Sequence, residues 1–160
     1  GAIYNSIAIS YDDFYMDDSA FYGDCKAELL LPNGAGNYTQ FTPSAGANYT
    51  CVDETTPSDA DYVEDSVVGH KDSYNFAALS ADNTVIGVQL NIRAQKTDAG
   101  DKQIRGLTRI ASTDYSGAAI SLSAANYTYV KKMWILNPDT SLAWSKADID
   151  AAEFGTDIVV

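Results

Sequence analysis

The stretch from Tyr127 to Val160 constrains the fold more than any other part of the chain. Tyr127-Thr-Tyr-Val-Lys-Lys-Met-Trp-Ile-Leu136 reads as a strand, Asn137-Pro138-Asp139-Thr140 as a turn, and Ala143-Trp144-Ser145 leads into a segment ending at Glu153-Phe154-Gly155. Ser145-Lys-Ala-Asp148 resembles a capping box with Asp in place of Glu, Ala147, Ile149, Ala151 and Ala152 continue a helical turn, and Gly155 suits a left-handed C-cap. Ile158 to Val160 is then expected to close the sheet. Strand, turn, tryptophan, capped helix and closing strand describe the last corner of an antiparallel β-sandwich, with Trp134 and Trp144 as its packing anchors.

Upstream, Ile86, Val88, Leu90, Ile92 and Ala94 alternate with Gln89, Asn91, Arg93 and Gln95, the period of a half-buried strand. Thr97-Asp98-Ala99-Gly100-Asp101 is turn chemistry, so Lys102 to Ala111 is expected to return as the second strand of a hairpin. Leu107 breaks that alternation, which predicts a bulge or an apolar contact on the outer face. Asp114-Tyr115-Ser116-Gly117 is expected to form the next turn. In the strand from Tyr127, Val130, Trp134 and Leu136 share a side with Lys132, while Tyr127, Tyr129, Lys131, Met133 and Ile135 share the other, so both faces are expected to be covered. Nearer the N-terminus, Ile3, Ile7, Ile9 and Tyr11, and then Cys25, Ala27, Leu29 and Leu31, predict two more strands. The loop-rich text from Pro32 to Asp72 should hide short strands at Tyr38 to Phe41 and Tyr49 to Val52. The fold class that follows is all-β: one antiparallel β-sandwich of jelly-roll type over 1–160, with a short helix near the C-terminus. Residues 1–23 are expected to be a strand or arm that joins a neighbouring domain or subunit.

A chain of 160 residues can bury a self-sufficient core. Ten Lys and Arg against 22 Asp and Glu give a formal charge of −12, which repels nucleic acid and anionic membranes. Gly1 in place of an initiator methionine points to a processed start or a piece of a longer product. A Cys25–Cys51 disulfide would close a loop of about 26 residues and contribute on the order of 3 kcal/mol; the preferred reading is a thiol on an apolar face.

The densest carboxylates are Asp12, Asp13, Asp17 and Asp18, and then Asp59, Asp61, Glu64 and Asp65, hard oxygen ligands of the kind calcium takes. Neither group has EF-hand spacing, and solvated acidic loops are the plainer reading. The single histidine, His70, removes most triads and multi-histidine zinc sites, and no nucleophile-elbow or phosphate-loop motif is present. A glycan-cleaving carboxylate pair is a remote reading. Asn37, Asn48 and Asn126 begin glycosylation triplets, a cheap match in a chain rich in Asn and Thr. Tyr11, Tyr15, Tyr22, Tyr38 and Tyr49 are candidates to anchor an interface or stack on a sugar, against the plainer alternative of cross-strand packing.

Several phrases together resemble a family of tailed-bacteriophage virion proteins: Tyr11-Asp12-Asp13-Phe14-Tyr15-Met16-Asp17-Asp18, Phe21-Tyr22-Gly23-Asp24-Cys25, Leu30-Leu31-Pro32-Asn33-Gly34-Ala35-Gly36, Arg105-Gly106-Leu107, and Pro138-Asp139-Thr140 with Ala143-Trp144. The resemblance implies the C-terminal part of a structural protein whose preceding part is a lectin-like jelly roll. It also implies a place on the outside of a virion, as capsid decoration, fibre or tail component, and no catalytic residues. The expected partners are other virion proteins and further copies of the chain. The alternative is a carbohydrate-binding module that attaches to cell-surface glycans.

Overall fold

The computed structural model describes residues 25–160. Among these the chain is all-β, with one short α-helix, and every paired strand is antiparallel. The strands are β1 (Pro32–Thr39), β2 (Thr42–Pro43), β3 (Val63–Glu64), β4 (Lys71–Phe76), β5 (Val88–Ala94), β6 (Gln103–Ile110), β7 (Thr113–Ser116), β8 (Ile120–Ser121), β9 (Thr128–Trp134) and β10 (Glu153–Ile158), and the helix is α1 (Lys146–Ala151). The main sheet runs β1-β4-β10-β6-β7, with β8 also on β6. A two-stranded ribbon, β5-β9, forms the second layer, and β2-β3 is a short separate pair.

The core lies between ribbon and main sheet. Phe154 of β10 sits at the centre of one cluster, its ring 6.0 Å from Trp134, 6.3 Å from Trp144 and edge-on to Phe76 at 5.7 Å. The Trp144 indole donates to the Trp134 carbonyl at 3.1 Å, so the buried ring leaves no unpaired N–H. Val88 and Leu90 pack on this cluster, while Ile92 and Ala94 pack on a second one built from Phe41, Ile104, Val130 and Ile158. Gly106 lets the layers close: a Cβ there would lie 3.0 Å from the Lys132 Cβ and 3.3 Å from Leu90. The Lys132 stem therefore fills the glycine notch and its ammonium reaches over the Trp134 ring, which explains a lysine on an inward face. The capping box forms as its spacing predicts: Ser145 and Asp148 exchange side-chain and backbone hydrogen bonds at the start of α1.

Six expectations are corrected. The strands flanking the 97–101 turn do not pair with each other; β5 pairs with β9 and β6 with β10, so the turn carries the chain between layers. Turn residues license a reversal, but they do not choose the partner. Gly155 is not a helix cap but lies inside β10, where a Cβ would come within 1.9 Å of the Asp72 carbonyl oxygen. The reversal before β7 is made by Ala111 and Ser112, both at positive φ, and residues 114–116 are strand. Residues 25–31 form no strand, and Leu30 faces the core while Leu29 is exposed. Asn48–Cys51 is a 3-10 turn, held by backbone bonds back to Ala47 and Tyr49. The outward side of β9 is uncovered, with Tyr129 59% and Met133 52% exposed. Leu107, by contrast, faces away from the ribbon in an unbroken register and is fully buried. Among the described residues the second layer has two strands, where a jelly roll has four.

Candidate functional site

Three constellations gather polar or exposed side chains. The first lies on the main-sheet face that points away from the ribbon. Asp114 of β7 accepts from Lys71 Nζ at 2.6 Å, from Arg109 at 2.8 Å and from the Tyr38 hydroxyl at 2.9 Å. Lys71 and Arg109 also stand 5.0 and 5.1 Å from the Tyr38 ring centre. Burial pushes the Asp114 carboxyl up, but the hydrogen bonds from Lys71, Arg109 and Tyr38 outweigh it and hold it below the ordinary carboxylate range. The hydrogen bond to Asp114 in turn raises Lys71. Beside this group, Glu153 accepts from the Asn37 amide side chain, from the Asn37 N–H at 2.8 Å and from Ser73 at 2.7 Å, and Arg105 reaches Asp157 at 2.8 and 2.9 Å. Charges so matched tie β1, β4, β10, β6 and β7 together. An ionised Asp114 with three donors is no proton donor.

The second constellation is on the core face. Asp72, fully buried, accepts at Oδ2 from the Tyr74 hydroxyl at 2.6 Å and from the Asn48 side chain at 2.9 Å, while its Oδ1 has no partner. Burial raises the Asp72 carboxyl, and the two hydrogen bonds only partly offset it. Burial pushes the Tyr74 phenol far up as well.

The third is the outward face of the ribbon. Cross-strand pairing sets Gln89 opposite Met133, Asn91 opposite Lys131 and Arg93 opposite Tyr129. Arg93 stacks on the Tyr127 ring at 3.5 Å and pairs with Asp59 of the acidic loop. Exposed Ile135 and Leu136 continue the apolar surface just beyond β9.

No family model, curated protein or solved structure matches this chain. Its site residues are therefore placed by geometry alone. Asp12, Asp13, Asp17, Asp18, Tyr11, Tyr15 and Tyr22 lie outside the described residues, as does the strand expected at Ile3 to Tyr11. Tyr38 is drawn into the Asp114 network, and Tyr49 is half-buried in the 3-10 turn. Trp134 and Trp144 are buried together at 6% and 3% exposure. The loop carboxylates disperse: Asp59 goes to Arg93, Asp61 to Ser44, and Asp65 to His70 and the backbone of residues 66 and 67. Among the described residues no three His, Cys, Asp or Glu side chains form a group able to hold a metal ion. Asn37 and Asn48 are spent on internal hydrogen bonds, and no disulfide joins Cys25 to Cys51, whose thiol is buried against the Ala45 carbonyl. Sequence reasoning missed Asp72 and Asp114. Asp72 closes a stretch that reads as loop and Asp114 opens one that reads as a turn, and neither segment has the hydrophobic alternation that would mark it as strand. No helix among the described residues is long and apolar enough to cross a membrane.

Proposed function

We propose that this chain is a non-enzymatic structural module of a bacteriophage exterior, a capsid decoration, fibre or tail component that assembles through protein–protein contacts. The observation that carries this is the ribbon: a second layer of two strands whose outward side exposes Tyr129, Met133 and, just beyond, Ile135 at 65%. Contiguous apolar side chains rimmed by polar ones are the surface of a contact site. Both ribbon strands also keep an edge unpaired among the described residues, a template for strand addition. The polar networks of the main sheet fit the same role, since they fasten strands to each other and leave a rigid block. The likeness to virion proteins supplies the setting, and the jelly-roll wiring belongs to that setting. Immunogold electron microscopy on the source particles tests it: regular label along a shell, tail or fibre is expected, and label confined to cells or free solution would remove the reading.

A second reading has its own observation. The row of Gln89, Asn91 and Arg93 beside the exposed Tyr129 ring combines planar hydrogen-bonding groups with a stacking face, as a glycan site requires. Calorimetric titration with cell-surface oligosaccharides separates the two, because Tyr129→Ala should abolish sugar binding only under this second reading.

A further inference from the structure

We propose that the outward face of the β5-β9 ribbon is a docking site for the acidic loop 53–65 of a second copy of this chain, a head-to-tail contact that rests on the assembly reading above and gives it a surface. Charge along the sequence is segregated. Residues 85–136 hold seven Lys and Arg against three acids, a balance of +4, so the rest of the chain carries −16 and the whole sums to the formal −12. Both ribbon strands lie in the basic part. Lys131 stands on the outward face between Tyr129 and Met133 and makes no ion pair among the described residues.

The complement is in the same molecule. Residues 53–65 contain six acids and no Lys or Arg. Glu64 is exposed there, as is Tyr62 at 44%, and Val67 and Val68 follow at 49% and 61%. An acidic, apolar strip thus matches a basic, apolar face in both charge and hydropathy. One chain already joins the two chemistries: Asp59 of the loop pairs with Arg93 at one end of the ribbon. That internal contact uses the Arg93 row and leaves the Lys131 and Met133 rows open to a loop from elsewhere.

Loop and face are different surfaces, so the contact is heterologous and builds a ring or a filament instead of a closed two-fold dimer. Seven residues of strand span roughly 20 Å, and a two-strand face of that length is smaller than the ~800 Å² per partner of a standard interface. Each contact is therefore weak, and repetition strengthens the assembly. Salt acts in two ways. At about 0.01 M the −12 charge repels over roughly 30 Å, whereas at about 0.15 M only contacts within roughly 8 Å are felt, so association should tighten between these two conditions.

Sedimentation velocity of the full chain over a concentration series tests the proposal, with thermal melts to show that each variant is folded. K131E and E64K should each weaken self-association about tenfold or more. A mixture of the two variants, or both changes in one chain, should restore it, because the acid placed on the ribbon face then meets the lysine placed in the loop. Rescue by charge exchange is not expected from a general loss of solubility or stability. A wild-type chain that stays monomeric throughout, or association that K131E leaves unchanged, overturns the proposal. So does a K131E chain that loses binding to a sulfated oligosaccharide while associating as before, since the face then belongs to a glycan. Regular immunogold label on particles, combined with unaltered K131E association, keeps the assembly reading and removes this surface from it.

Discussion

Asp72 and Asp114 stand on opposite faces of the same sheet and meet opposite surroundings. Asp114 faces outward among Lys71, Arg109 and Tyr38, with every donor matched, and its carboxyl titrates below the ordinary range. Asp72 faces the core with two neutral donors on one oxygen and none on the other, and its carboxyl titrates above it. The difference teaches what each face is for. The outward face sets ion pairs as clasps around the single buried leucine Leu107, whereas the inward face is mostly apolar and holds one carboxyl that Tyr74 and Asn48 share.

The largest break in this comparison should come from Gly155→Ala, which strikes both faces at once. A methyl within 1.9 Å of the Asp72 backbone oxygen would force β10 away from β4. A loss of at least ~3 kcal/mol is expected, at the upper end of overpacking effects, read as failure to refold or a collapse of the urea midpoint. Next, Asp72→Leu should cost about 2–4 kcal/mol, because the Tyr74 hydroxyl and the Asn48 amide lose their acceptor. Asp72→Asn keeps an acceptor and removes the charge, so it should be neutral or stabilising at pH 7.

The pH dependence sharpens the contrast through its signs. The folded chain holds the Asp72 proton more tightly than the unfolded one, so this group's contribution is fully present below the unfolded value of about 3.9 and is lost as pH rises through its raised folded value. For Asp114 the stabilisation is present above about 3.9 and is lost as pH falls through its lowered folded value. Urea titrations should show Asp72→Asn removing a decline in stability that sets in as pH rises above about 3.9. Asp114→Asn should cost about 1–3 kcal/mol at pH 7, the range for charge-assisted hydrogen bonds, and blunt the loss in acid. The smallest effect is expected at the turn that presents Asp114 to Arg109. Ala111 and Ser112 hold φ of 47° and 72° in a two-residue hairpin turn, which Asn-Gly suits better, so the A111N and S112G pair should raise stability by roughly 1 kcal/mol.

The sequence displayed the parts whose residues alternate by polarity. β5 and β9 were readable for that reason, as were the α1 cap and the two tryptophans. β4 and β10 were not: Lys71-Asp-Ser-Tyr-Asn-Phe76 and Glu153-Phe-Gly-Thr-Asp-Ile158 bury polar residues on both faces, so no hydrophobic period marks them. β1 begins with Pro32 and carries two glycines, poor strand formers that an edge position with register shifts accommodates. Ala111-Ser112 lacks the glycine or asparagine that announces a tight hairpin. For the same reason the Asp114 network was illegible: its members, Tyr38, Lys71, Arg109 and Asp114, come from four strands, two of them not foreseen where they lie. The ribbon face was half legible, since its outward residues were named as one side of a strand but were expected to be covered.

The position of β10 has a consequence for how the protein is made. The strand that sits between β4 and β6 is translated about 40 residues after β6, a delay of several seconds at ~5–20 residues per second. Until it leaves the ribosome, β4 and β6 have open edges, and the nascent chain is exposed to chaperones and proteases. A chain cut short ahead of β10 therefore keeps both edges open and remains a product that quality control can recognise.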